Sequence, residues 1–220
     1  MEQKIKLQTG LVDRLRYAAE LCRGKSVLDI GGHKYVDVEH TRLHQFAMNI
    51  THKTNLPPFV AEYHRIQEGA KDYRVVDIQQ TPATDYVLDL NQPSSVPSLR
   101  KIIEEYQPEV ILCMETLEHV NCHFEVMNEI SRAINQFSAV TYITLPNNGN
   151  WVLNALGWNN DHILGFFRQM AWQFVVRSDL GCHEVVMQRC MQKYVWYWRP
   201  VYWLSGGQPF SWGFVIRRRI

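Results

Sequence analysis

Short, continuous apolar runs recur along the chain and are separated by segments with helical periodicity. The runs are rich in β-branched and aromatic residues, which is typical of strands buried on both faces. They span Ser26–Ile30, Tyr73–Asp77, Asp85–Asp89, Glu109–Met114 and Ala139–Leu145. Helical patterns lie between them at Ser98–Tyr106 and Phe124–Phe137. Parallel strands need crossover connections of this kind, so the pattern predicts an α/β fold with a doubly wound, mostly parallel sheet.

The segment before the first of these runs also carries a helical pattern. Its apolar residues, among them Leu7, Leu11 and Cys22, recur at the spacing of one helix face. Gly24 follows, as glycine often does at a helix C-terminus. We therefore expect a helix ahead of the first strand.

The 220 residues suffice for one domain, and we expect a single domain over residues 1–220. Two stretches exceed what a compact fold of this class needs. Residues at about 36–71 are expected to form an insertion between the first and second strands. Residues at about 180–220 form a C-terminal segment rich in aromatic residues, which we expect to supply either core or the wall of an apolar pocket.

Composition and charge exclude several classes of protein. The hydrophobic fraction is 46% and the charged fraction 20%, values that exclude a disordered chain, a collagen and a coiled coil. The net charge of +1 supplies no field that would attract nucleic acid or an anionic membrane. A small-molecule partner is therefore expected in preference to nucleic acid. The oligomeric state stays open.

The cysteines and the N-terminus favour a cytoplasmic location. The five cysteines form no CxxC pair, and Met1–Leu7 lacks the apolar core of a signal peptide. No stretch reaches eighteen uninterrupted apolar residues, so no membrane span is expected. Reduced thiols in a cytoplasmic protein fit these features.

Polar residues follow the predicted strands, each at the point where its strand ends. In an open α/β sheet these ends meet along one edge, which is where ligands bind. A glycine pair after the first strand lets the backbone approach a nucleotide-like molecule, while carboxylates after the second and third can accept from ribose hydroxyls and an adenine amine. The residues concerned are Asp29, Gly31, Gly32, Asp77, Asp89, Leu90 and the segment Glu115–Val120.

This order of motifs resembles the class I S-adenosylmethionine-dependent methyltransferases over about residues 10–175. The segment CMETLEHV is similar to the corresponding part of the ubiquinone-biosynthesis O-methyltransferases. The resemblance implies a Rossmann-like, seven-stranded sheet whose last strand, Ser211–Ile216, runs antiparallel. The motifs that carry it are VLDIGG, VVD, DYVLDL, VILCMETLEHV and ITLPNN.

The resemblance also implies roles for individual residues. Asp29, Gly31 and Gly32 would face the methionine part of S-adenosylmethionine, Asp77 would hold its ribose, and Asp89 with Leu90 would hold its adenine. The full set of expected cofactor-binding residues is Asp29, Gly31, Gly32, His33, Asp77, Asp89, Leu90 and Glu115.

The chain departs from the family pattern in two places. His33 and Tyr35 stand where the family has the second and third glycines of its turn. The His33 side chain could crowd the cofactor or hydrogen-bond its carboxylate. Asp77 follows Asp29 by 48 positions, against roughly 20 in a compact dinucleotide unit. The insertion accounts for this distance, although a degenerate cofactor site would also fit.

The segment after the fourth strand offers groups for metal binding or catalysis. Glu115, Glu118 and His119 share one face if a helical turn begins there. With His162 they could bind Mg²⁺ or Zn²⁺, a pattern that resembles the small-RNA 3′-terminal 2′-O-methyltransferases. The alternative is that they line the cofactor pocket without metal. His119 or His162 would then accept the proton of the acceptor hydroxyl, with Glu118 beside them.

Three functions follow, of which the first is preferred. The first is an S-adenosylmethionine-dependent methyltransferase that modifies a small molecule, most simply at oxygen. The second is an RNA 2′-O-methyltransferase with a Glu/Glu/His metal site. The third is a non-catalytic binding module with a methyltransferase-like fold. The altered glycine turn is the reason to consider it.

Overall fold

The computed structural model describes residues 5–32, 58–81, 84–155, 183–191 and 198–218. The strands in chain order are β1 (Ile5–Asp13), β2 (Ser26–Ile30), β3 (Asp72–Asp77), β4 (Tyr86–Val87), β5 (Val110–Met114), β6 (Val140–Pro146), β7 (His183–Met191) and β8 (Ser211–Arg218). The helices are α1 (Arg14–Cys22), α2 (Pro58–Gly69), α3 (Val96–Tyr106), α4 (His123–Phe137), α5 (Trp151–Ala155) and α6 (Trp198–Leu204). Short 3₁₀ turns lie at Pro93–Ser95 and Leu117–His119.

The strands form one sheet in the order β1-β7-β8-β6-β5-β2-β3-β4. Every described pairing is parallel except those of β8, which runs antiparallel to both β6 and β7. From β2 the chain proceeds outward to β3 and β4, and then returns to place β5 on the other side of β2. The strand order therefore reverses at β2 and β5, which is the position where open α/β sheets bind ligands.

Helices cover both faces of the sheet. Helices α1 and α2 bury Leu15 and Ile66 against one face, where they pack among residues such as Leu112. Helices α3 and α4 cover the other face, where Leu99 and Ile130 are completely buried. Each of these side chains contributes about 1.5–3 kcal/mol through burial of apolar surface. This packing holds the carboxyl ends of the central strands at fixed positions.

The predicted α/β fold is confirmed, including the antiparallel last strand. The sheet has eight strands, one more than the predicted seven, because Ile5–Asp13 forms a strand. The prediction of a helix from Leu7 onward was wrong for residues 7–13, and the helix begins at Arg14. Residues 5–13 lie beside β7, with Ile5 opposite Val185 and Asp13 opposite Met191, so strand pairing satisfies backbone groups on one side of this strand.

Several predictions fall partly or wholly on residues outside the described ranges. Most of the insertion at about 36–71 does so, and only its end is seen, as α2 with the residues beside it. Cys182 is also outside, whereas Cys22, Cys113, Cys122 and Cys190 are buried free thiols. Within the described residues, no helix combines the length and the apolar composition needed to cross a membrane.

Of the aromatic-rich C-terminal segment, residues 183–191 and 198–218 are described. Helix α6 buries Val201 in a small cluster with Phe210 and Leu153. Trp203, by contrast, is 77% exposed. The part of the segment that is seen is therefore core at some positions and surface at others.

Gly213 provides a test of the packing between β6, β7 and β8. A Cβ at this position would lie 2.6 Å from the Cys190 sulfur and 3.1 Å from the Tyr142 hydroxyl, both of which are buried. We expect Gly213→Ala to lower the free energy of unfolding by about 1–3 kcal/mol, because neither neighbour has room to move. Urea unfolding measures the change. Gly10→Ala is the control, since a Cβ there meets nothing within 4 Å, and equal effects of the two changes would contradict the prediction.

Candidate active site

An open cleft of about 190 Å³ lies at the carboxyl ends of β2, β3, β4 and β5. These strands are parallel, so the segments that follow them converge at this edge of the sheet. The cleft is therefore at the reversal of strand order. It is lined by Gly31, Val76, Asp77, Ile78, Leu88, Leu90, Asn91, Glu115, Thr116, His119 and Val120.

Gly31 forms the part of the cleft that follows β2. Its backbone has φ +73°, a conformation that side chains disfavour, and its N–H donates to the Val76 carbonyl at 2.7 Å. A Cβ on Gly31 would collide with the side chain of Thr116. Thr116 donates in turn to the Ile30 carbonyl at 3.1 Å. The turn after β2 is thus packed directly against the segment after β5, and only backbone faces the cleft here.

Asp29 lies beneath this turn and does not line the cleft. It is 1% exposed, and the Tyr73 hydroxyl donates a hydrogen bond to its Oδ2. A Cβ on Gly32 would collide with the Asp29 carboxylate, so the turn rests on this side chain. Burial raises the pKa of Asp29 to about 7; the hydrogen bond from Tyr73 opposes this shift and the nearby Asp77 carboxylate adds to it. Asp29 therefore supports the turn from below.

Asp77 lines the cleft at the end of β3. Its Oδ1 accepts a hydrogen bond of 2.7 Å from the Gln79 N–H, which fixes the orientation of the carboxylate. The next residue, Ile78, is 53% exposed although it is large and apolar. Together with Leu88 and Leu90 it forms an apolar wall beside the carboxylate. A polar group next to an apolar wall is the arrangement expected for a nucleoside site.

Asp89 and Leu90 follow β4 and behave differently from each other. Leu90 lines the cleft, as predicted. The Asp89 carboxylate does not line it and instead accepts a hydrogen bond of 3.0 Å from the Asn91 N–H. Asn91 does line the cleft, and its Oδ1 accepts a hydrogen bond of 2.9 Å from the Asn121 N–H. Asp89 thus stabilises the loop that presents Leu90 and Asn91.

Of the three residues predicted in the segment after β5, two line the cleft and one lies in the interior. Glu115 lines the cleft in a left-handed conformation, with φ +53°. Glu118 is completely buried within the 3₁₀ turn Leu117–His119 and does not line the cleft. His119 lines the cleft, and its Nε2 lies 4.0 Å from Oε1 of Glu118. Of the predicted catalytic residues that are described, His119 is therefore the one that a ligand in the cleft would contact.

The predicted metal site is only partly described. His162 and His33 lie outside the described residues. Among the residues that the structure does describe, no group of three His, Cys, Asp or Glu side chains is placed to hold a metal ion. The Glu115 carboxylate contacts Arg14, with Nη1 and Oε1 2.9 Å apart. The metal site stays a prediction.

Sequence reasoning missed several residues of the cleft. Thr116 lies inside the predicted segment, but its contact with Gly31 depends on the fold. Ile78 directly follows Asp77. Its position at the end of a predicted strand could have indicated that it lines the cleft. Arg14 does not line the cleft but contacts Glu115, which does. It carried no signal, because arginine in the first turn of an amphipathic helix is usually exposed.

No protein-family model and no curated protein sequence matches the chain. Solved structures do match. A SAM-dependent methyltransferase from Archaeoglobus fulgidus aligns with a TM-score of 0.57 and 13% identity, over 93% of this chain and 91% of that one. A second, from Mesorhizobium loti, has a TM-score of 0.50 and 10% identity, over 93% and 96% of the two chains.

A third match is the small RNA methyltransferase HEN1, at 13% identity. This chain is covered completely and HEN1 over 27% of its length, with a TM-score of 0.49 that does not establish a shared substrate. The similarity to the Archaeoglobus and Mesorhizobium structures spans nearly the whole of each chain, with a cleft here at the edge where ligands bind. The chain has the Rossmann-like fold found in SAM-dependent methyltransferases.

Proposed function

We propose that this protein is an S-adenosylmethionine-dependent methyltransferase that methylates an oxygen atom of a small molecule. The proposal depends mainly on one observation. Backbone without a side chain, a carboxylate, an apolar wall and an imidazole lie together in one cleft. Gly31, Asp77, Leu90 and His119 come from four separate strand ends and line the same cleft. This combination, at the point where the strand order reverses, is typical of a ligand-binding site.

The described residues fit the proposed cofactor. The Asp77 carboxylate can accept hydrogen bonds from a ribose diol, since the Gln79 N–H contacts its Oδ1 and a carboxylate has about four acceptor positions. Ile78 and Leu88 offer apolar surface to a flat base. Gly31 lines the cleft and can present its backbone to the polar end of an elongated ligand. The packing against Thr116 requires glycine at this position. When bound, S-adenosylmethionine supplies an electrophilic methyl group.

His119 is the residue best placed to take the acceptor proton. Its side chain is 40% exposed and lines the cleft, and an imidazole can accept a proton near neutral pH. Glu118 lies beside it, with Oε1 4.0 Å from Nε2 of His119. The remaining rate enhancement is expected to come from holding acceptor and methyl group in line, which is the task of a rigid cleft. No catalytic step is assigned to a metal ion.

The choice of a small oxygen acceptor rests on charge and on motif. A net charge of +1 favours a compact acceptor over a polyanion. The segment CMETLEHV, which is similar to that of ubiquinone-biosynthesis O-methyltransferases, includes four residues of the cleft, Glu115, Thr116, His119 and Val120. Transfer of a labelled methyl group from the cofactor into a pool of small metabolites tests this part of the proposal.

Asp77→Ala tests the cofactor site directly. We expect the Kd for S-adenosylmethionine, measured by calorimetric titration, to rise roughly 10- to 100-fold, because a hydrogen bond to a charged group contributes about 1.5–3 kcal/mol. The control is Asp72→Asn, which removes a carboxylate from the opposite end of the same strand. It should leave the Kd unchanged.

Two outcomes would contradict the proposal in different ways. If the wild-type protein binds neither S-adenosylmethionine nor its demethylated product, the cofactor site is absent and the fold serves as a binding module. If the protein binds the cofactor but labels only RNA, the acceptor class is wrong. In that case affinity for RNA should fall steeply as salt is raised.

A further inference from the structure

Arg14 and Glu115 form an ion pair that links the added strand β1 to the cleft. Arg14 directly follows Asp13, the last residue of β1, which lies opposite Met191 of β7. Its guanidinium Nη1 is 2.9 Å from Oε1 of Glu115, and the two side chains are only 8% and 19% exposed. Glu115 lines the cleft. Arg14, the first residue of α1, thus places a positive charge beside Glu115 of the proposed cofactor site.

The buried environment makes this pair electrostatically important. The field of Arg14 reaches the Tyr142 hydroxyl and the Cys190 thiol, which contact each other at 3.4 Å in the interior. Charges surrounded by protein in this way are weakly screened, so a change in either one is felt across the cleft. Removing either partner would leave the other charge buried and uncompensated, which is costly.

Glu115 is held in place by its backbone as well as by Arg14. It adopts a φ of +53°, which is uncommon for a residue with a side chain, and its N–H donates to the Thr144 carbonyl at 3.0 Å. The buried Oε1 faces Arg14, and Glu115 also lines the cleft. Thr116, the next residue, contacts Gly31. The pair therefore lies beside the glycine turn, where the proposed cofactor would place its polar end.

We propose that Arg14 is a specificity-determining residue that sets the preference of the site between S-adenosylmethionine and its demethylated product. This inference rests on the proposed function. The two ligands differ by one positive charge, because methyl transfer converts a sulfonium into a neutral thioether. Arg14 offsets the negative charge of Glu115 and so limits the attraction of the site for the sulfonium. A site in which these two charges balance binds the substrate without holding it more tightly than the reaction requires.

Calorimetric titration of both ligands at pH 8 tests the inference through the ratio of their Kd values. Arg14→Met leaves the Glu115 charge uncompensated, and we expect it to shift the ratio in favour of S-adenosylmethionine by roughly 3- to 10-fold. Glu115→Gln leaves the Arg14 charge uncompensated and should shift the ratio by a similar factor in the opposite direction. The double variant, with both charges removed, should return the ratio towards that of the wild type.

Controls separate the charge effect from damage to the fold. Arg14→Lys keeps the charge and should keep the wild-type ratio, and Arg16→Met removes an exposed charge two residues along α1 and should change nothing. Loss of packing alone would weaken both ligands equally. If Arg14→Met does not fold, Glu115→Gln and Arg14→Lys still give different expectations for the ratio.

The outcomes distinguish the two proposals. A wild-type protein that binds both ligands, with a ratio that none of the variants changes, overturns the role of Arg14 and leaves the proposed function intact. A wild-type protein that binds neither ligand overturns the proposed function and, with it, the role of Arg14. Opposite shifts in the two single variants support both.

Discussion

Asparagine in place of Asp29 is expected to abolish a large part of the pH dependence of the protein's stability. The Asp29 carboxyl is almost completely shielded from solvent, and burial raises its pKa from 3.8 to about 7. The folded protein therefore keeps a proton on Asp29 between about pH 4 and pH 7, while the unfolded chain releases it. Because the folded state binds more protons in this range, stability falls as pH rises through it.

The size of the effect follows from the shift. Each pKa unit corresponds to about 1.4 kcal/mol, so raising the pH from 4 to 8 should cost the wild-type protein roughly 4 kcal/mol through this group. An asparagine side chain cannot ionise, so the variant would not show this loss. Relative to wild type, Asp29→Asn should therefore gain stability as pH increases, whatever its effect on packing at pH 4.

Urea unfolding of both proteins at several pH values measures the difference. Glu105→Gln, which alters an exposed carboxylate on α3, is the control and should follow the wild-type curve. Tyr73→Phe removes a hydrogen bond that favours the ionised form of Asp29, so it should move the midpoint of the loss to higher pH. Parallel curves for wild type and Asp29→Asn would show that Asp29 ionises normally in the folded protein.

Alanine in place of Gly31 is expected to disrupt both the fold around the cleft and the binding of the proposed cofactor. A φ of +73° costs a residue with a side chain about 1–2 kcal/mol. The new Cβ would also collide with Thr116, which adds about 1–3 kcal/mol for displaced packing. Moving the turn by even a small distance changes the cleft itself, so we expect the Kd for S-adenosylmethionine to increase roughly 100-fold.

Gly24→Ala is a matched control for this change. Gly24 has nearly the same φ, +70°, but a Cβ there would meet nothing within 4 Å. It should lose only the conformational part of the stability and bind cofactor normally. Thr116→Ala removes the two atoms nearest to the new Cβ, so the double variant should recover part of the loss. Identical behaviour of Gly31→Ala and Gly24→Ala would show that the turn tolerates a side chain.

The central strands could be predicted from the sequence because their burial leaves a local signature. The runs Ser26–Ile30 and Glu109–Met114 are largely apolar, and the structure buries residues 27–30 and 110–114 on both faces. Residues 5–13 gave the opposite result. Leu7 and Leu11 fit a helical spacing that continues into α1, yet pairing with the distant strand β7 decides their conformation. Such tertiary override is common for strands at a sheet edge.

The candidate site was predictable to the extent that it depends on strand ends. Gly31, Asp77 and His119 line the cleft because each follows a parallel strand. Asp89 was expected to bind the cofactor; its carboxylate accepts a hydrogen bond from the Asn91 N–H, and its role in binding stays a prediction. The contact between Arg14 and Glu115 joins residues far apart in the sequence. No local pattern records such a pair, since either residue alone is typical of an exposed surface.

The two edges of the sheet differ in how they avoid unwanted association. Strand β4 is only two residues long and offers little backbone for another chain to pair with. Strand β1 has nine residues, but its register with β7 shifts between Leu7 and Leu11. An irregularity of this kind bends the outer strand and interrupts its free row of donors and acceptors. The additional strand β1 therefore does not offer a regular edge with which another chain could pair.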